Sequence, residues 1–70
     1  MACPDANFIN INHIITTFEG KTAGVDDESW LVTFPTEDAS DNAKNLIMML
    51  RGWSANSHAS AKNTIKIFCL

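Results

Sequence analysis

His13, His58, Cys3 and Cys69 are the side chains of this sequence with the chemistry to hold a transition metal or to pair a nucleophile with a base. Zinc ligands generally come in pairs about two to four residues apart, because one turn then presents two donors at once. These four stand alone in remote segments, so no metal site is expected. A catalytic thiolate needs a helix start or a cationic neighbour to lower its pKa, and neither cysteine lies in a helix-start pattern. His13, set among isoleucines, reads as a partly buried, hydrogen-bonded residue.

Gly20-Lys21-Thr22 resembles the end of a phosphate-binding loop. Ile15 stands where such a loop has its first glycine, however, and a glycine and an acidic run follow where a helix should begin. There is no nucleophile elbow, no pair of carboxylates on an apolar helical face and no glycine-rich cofactor loop. A chain this short also has little room for a walled pocket. The expectation is a protein that is not an enzyme, with no catalytic residue and no cofactor.

Charge is the next candidate for function. The formal net charge is −3, and it is divided: residues 22–43 hold six acids and no Lys or Arg, whereas residues 42–70 hold four bases and no acid. Asp26, Asp27 and Glu28 sit in a loop pattern, and Glu37, Asp38 and Asp41 sit at a helix start. The first three would solvate a loop and the second three complement a helix dipole. Together they could also form an acidic surface that docks on a basic enzyme or imitates nucleic-acid phosphates, as inhibitors from phage and mobile elements do. Nucleic-acid binding is not expected, because Lys21, Lys44, Arg51, Lys62 and Lys66 are spread along the chain, whereas phosphate-driven binding needs a dense positive field. Lys62 and Lys66 beside an exposed Phe68 would make at most a small stacking and phosphate site.

The elements that must position these residues begin with the clearest one. In 35–53, a proline precedes Thr36, whose hydroxyl suits a helix N-cap, and Glu37 and Asp38 follow at the positive end of the dipole. Ala39, Ala43, Leu46, Ile47 and Leu50 then recur at helical spacing. Gly52 can take the left-handed conformation that ends a helix, with Trp53 folding back against Met48. Before this helix, 8–18 is rich in β-branched residues and alternates in its first part, which predicts a first strand with a bulge near His13. Residues 19–28 read as a hairpin loop, and 29–34 as a second strand with Trp30, Val32 and Phe34 on one face. Residues 54–61 read as a small, polar linker, and 64–70 as a third strand.

The fold expected is therefore a single α+β domain over residues 1–70: a three-stranded, mainly antiparallel sheet in the order ββαβ, with strand order 2-1-3 favoured over 1-2-3 and one α-helix packed on one face. At 46% hydrophobic and 19% charged residues the composition is that of a folded chain, though folding of so short a chain removes only about 60% of its unfolded surface. No apolar run approaches a bilayer span and no secretory leader is seen, so no membrane partner and a cytoplasmic location are expected. Two cysteines are too few for a secreted scaffold; free thiols are expected, although order 2-1-3 would let Cys3 and Cys69 meet.

One helix covers one face of such a sheet, yet both strand parities carry large apolar groups. Phe8, Ile14, Phe18, Leu31, Phe68 and Leu70 fall opposite the core set and would form an uncovered apolar patch. The functional expectation is a small protein–protein interaction module that self-associates, as a homodimer or with another protein, through that patch. The alternative is the acidic inhibitor or nucleic-acid mimic.

Overall fold

The computed structural model describes residues 5–25, 29–58 and 60–70, with side chains at 8–23, 29–58 and 60–70. In chain order they form helix α1 (Asp5–Thr17), strands β1 (Lys21–Val25) and β2 (Ser29–Thr33), helix α2 (Glu37–Met48), and strands β3 (Trp53–His58) and β4 (Ala61–Cys69). The four strands make one sheet in the order β1-β2-β4-β3, with every neighbouring pair antiparallel. The chain is thus an α+β fold with two helices and four strands, one helix and one strand more than the sequence predicts.

Helix α2 follows the sequence signals. The Thr36 side-chain oxygen accepts a hydrogen bond from the Ala39 N–H at 3.1 Å, satisfying one of the donors that a helix start leaves free. Ser40, Ala43 and Ile47 are buried, and Gly52, with φ of 87°, turns the chain into β3. Two details differ from expectation. Leu46 is 42% exposed on the flank, and Trp53 enters the core, stacking on Trp30 at 5.2 Å, while Met48 stays in solvent.

The segment predicted as a first strand is helix α1. Its Asn–Ile alternation covers only a few residues, whereas Phe8, Ile11, Ile15 and Phe18 are spaced by three, four and three, which aligns them on one helical side. That side meets the sheet: Ile11 is buried, Ile15 and Phe18 pack against the core, and Phe8 lies 5.7 Å from Trp30 and 6.3 Å from Trp53. His13 is consequently exposed, not buried in a strand. β1 occupies 21–25 of the predicted hairpin loop, and residues 26–28 of that loop lie outside the described residues.

The predicted linker is strand β3. Its alternation is real but built from small residues, with Trp53 and Ala55 turned to the core and Ser54 and Asn56 away from it. This additional strand corrects the predicted order 2-1-3. It reverses the chain once more between α2 and β4, so β2 and β4 become antiparallel neighbours at the centre, with Val32 opposite Ile65 and Trp30 opposite Ile67.

Both helices lie on the same side of the sheet. Ile11 from α1 and Ala43 and Ile47 from α2 share one buried cluster with Val32, Trp53, Ala55, Ile65 and Ile67 from the strands. Cys69 is disulfide-bonded, against the expectation of free thiols; Cys3 lies outside the described residues.

Candidate functional site

A β-strand sends alternate side chains to opposite faces, so the strand positions between the core residues define the face that the helices leave open. On β2 these are Ser29, Leu31 and Thr33; on β4, Lys62, Thr64, Lys66 and Phe68; on β3, Ser54 and Asn56. The registers place Leu31 and Asn56 on either side of Lys66, and Ser29 and Ser54 on either side of Phe68. Ser29, Asn56, Lys66 and Phe68 together line a shallow depression of about 320 Å³. Leu31 and Phe68 are half-buried, and they are diagonal neighbours, since Leu31 pairs with Lys66 and Phe68 lies two residues further along β4.

This face is more hydrophilic than the sequence predicts, because the expected apolar patch divides. Leu31 and Phe68 are on it. Phe8 and Ile14 belong to α1 and Phe18 directly follows it; all three are turned toward the core or partly packed on it. Leu70 is 65% exposed just beyond the end of β4, where its N–H donates to the Gly52 carbonyl at 2.9 Å. Two apolar side chains among polar ones therefore stand where six were expected.

The face gathers bases instead. Lys62 and Lys66 are both exposed on it, and Lys21, paired with Thr33, is at its corner beside Glu19. Its described strand positions carry no acid. The sequence already groups Lys62 and Lys66 with Phe68, and their shared strand parity places all three on this face; Lys21 is the base that only the strand pairing adds.

The acids take the other side. Glu37, Asp38 and Asp41 are exposed along the first turns of α2, on the helix layer. Asp26, Asp27 and Glu28 lie outside the described residues, so the predicted acidic surface is described at three of its six positions. Lys44 donates to the Ser57 hydroxyl at 3.1 Å, tying α2 to β3 at a point midway along the helix.

The remaining candidates are dispersed. His58 Nδ1 accepts from the Ser60 backbone N–H at 3.3 Å and lies 2.9 Å from the Ser60 hydroxyl, which occupies it within its own turn. Gly20-Lys21-Thr22 leads into β1, not into a helix. Among the described residues no group of three or more His, Cys, Asp or Glu is placed to hold a metal ion, and no helix is long and apolar enough to cross a membrane. No protein-family model, no curated protein and no solved structure matches the chain.

Proposed function

We propose that the chain is a small, non-enzymatic protein–protein interaction module that associates through the sheet face its helices leave open. The observation supporting this reading is the one-sided layering: both helices shelter the same face, while Phe68 and Leu31 stand on the other beside a depression edged by Lys66, Asn56 and Ser29. Apolar groups ringed by polar ones are the usual composition of a docking surface, where burial supplies the driving force and the polar rim the register. Self-association is the form of it proposed here.

Sedimentation over a wide concentration range tests the reading. The mass should rise with concentration, and Phe68→Asp should hold it at the monomer value while leaving the far-UV circular dichroism unchanged. A wild-type chain that stays monomeric throughout would refute it.

The exposure of Glu37, Asp38 and Asp41 on adjacent turns favours a second reading, an acidic inhibitor of a basic enzyme. Charge reversal at these acids, with Phe68→Asp harmless, is the pattern of losses that would select it.

A further inference from the structure

We infer that the surface received by the open sheet face is the outer side of α2 on a second copy of this chain, so that copies stack in one direction instead of closing as a symmetric pair. The inference rests on the interaction-module reading and names its partner.

Two observations carry it. The first is direction. The Phe34 N–H donates to the Asn63 carbonyl at 2.8 Å, and Asn63 Nδ2 returns a bond to the Phe34 carbonyl at 2.8 Å, so the start of β4 lies beside the segment that enters α2. The Leu70 N–H bonds the carbonyl of Gly52, so the end of β4 lies beside the turn that leaves α2. Helix and strand therefore run the same way on opposite sides of the molecule.

The second is the order of side chains along each. At 100° per residue, Asp38, Asp41, Met48 and Met49 fall within one arc of α2 facing away from the buried Ser40, Ala43 and Ile47. Met48 and Met49, adjacent in sequence, are 51% and 79% exposed and leave a small apolar patch at the end of the helix. Along the open side of β4 come Lys62, Lys66 and then Phe68. Both surfaces thus read charge first, apolar last, with opposite charge. From the midpoint of the two acids to that of the two methionines is about 13 Å at 1.5 Å per helical residue. From the midpoint of the two lysines to Phe68 is about 13 Å at the strand rise.

A second copy displaced along the layer normal, without reversal, sets the carboxylates between Lys62 and Lys66 and the methionines over Phe68. Face-to-face pairing about a two-fold axis would instead bring Lys62 and Lys66 of both copies onto one surface, a like-charge arrangement that disfavours it. The one-directional contact is heterologous and leaves one free surface of each kind at the ends of a stack.

Complementation tests this. Lys62→Glu with Lys66→Glu, and Asp38→Lys with Asp41→Lys, change exposed residues only, and circular dichroism checks that both variants fold. Each variant alone should associate about tenfold or more weakly than wild type, and an equimolar mixture should restore stacks in which the two variants alternate. Wild-type stacks should dissociate as salt rises from about 50 mM to about 500 mM. A mixture that stays monomeric overturns the inference, and so does an α2 variant that assembles like wild type, which would leave the sheet-face reading intact. A wild-type monomer at every concentration removes both. Binding of labelled oligodeoxythymidine that Lys62→Glu with Lys66→Glu abolishes, without self-association, would assign the face to single-stranded nucleic acid and also overturn it.

Discussion

The two halves of the chain are built to the same plan, a helix followed by a hairpin, yet they are packed differently. In the second half, α2 presents Ser40 and Ala43 to the sheet, and β3 answers with Ala55, all fully buried. Small residues let helix and sheet approach closely, and α2 lies against both β3 and β4. In the first half, α1 meets the sheet through Phe8, Ile11, Ile15 and Phe18, long side chains that hold its axis further off, and only Ile11 of its described residues is fully buried. β1, its strand, is an edge held by one neighbour. One plan therefore yields a tight half and a looser one, and the open sheet face belongs mostly to the tight half, a rigid base for the docking proposed above.

The sharpest way to break that comparison is to empty equivalent places. Ile47→Ala and Ile11→Ala each remove a fully buried isoleucine, for which about 2–5 kcal/mol is usual. Ile47, enclosed by a closely packed sheet, should fall at the upper end, because its surroundings cannot collapse into the void. Ile11 should fall at the lower end, since α1 can settle. Urea unfolding measures both, and amide exchange should be faster in α1 than in α2. Equal costs would mean that the halves are equally tight.

Gly20 marks where the looser half is pinned. A Cβ built there would lie 2.6 Å from Phe34 Cε1, 2.8 Å from Val32 Cγ1 and 3.1 Å from Ile15 Cγ2, so Gly20→Ala should cost about 1–3 kcal/mol as core side chains are displaced. The expected result is a lower urea midpoint with little change in slope. Thr36→Ala removes the N-cap of α2 and should cost about 1 kcal/mol by the same measurement.

The same contrast decides what the sequence revealed. α2 was legible because its signals are local: a cap at Thr36, a stripe through Ala39, Ala43 and Ile47, and a stop at Gly52. β2 was legible from its aromatic and β-branched run ended by Pro35, and the core of β4 because Ile65, Lys66 and Ile67 alternate. α1 carried helical spacing in Phe8, Ile11, Ile15 and Phe18, but its β-branched isoleucines favour a strand, and only the surface made by Trp30 and Trp53 decides for the helix. β3 has almost no strand propensity in Ser54, Ala55, Asn56 and Ser57; it is a strand because β4 pairs with it and Ala55 is small enough to lie under α2. The site inherits these limits. Parity places Leu31, Lys66 and Phe68, whereas Phe8, Ile14 and Phe18 enter the expected patch only on a strand reading of 8–18, which the helix replaces.

The last difference between the halves is how their helices end, and it yields a change that should stabilise. α2 turns out through a glycine, but α1 ends on Glu19 with φ of 58°, a left-handed conformation that crowds a Cβ. The surrounding bonds explain why the conformation is kept. The Gly20 N–H donates to the Ile15 carbonyl at 2.8 Å and the Glu19 N–H to the Thr16 carbonyl at 3.1 Å, the paired closure of a Schellman terminus, which requires a left-handed residue at that position. Glu19→Gly relieves about 1–2 kcal/mol of left-handed strain. It also gives the unfolded chain more freedom, which offsets about 0.5–1 kcal/mol. The net gain should be about 0.5–1 kcal/mol, read as a higher urea midpoint and slower exchange of the last α1 amides. A loss of stability would mean instead that the Glu19 side chain, beside Lys21 and Thr33 at the corner of the sheet, holds the looser half in place through contacts worth more than the strain.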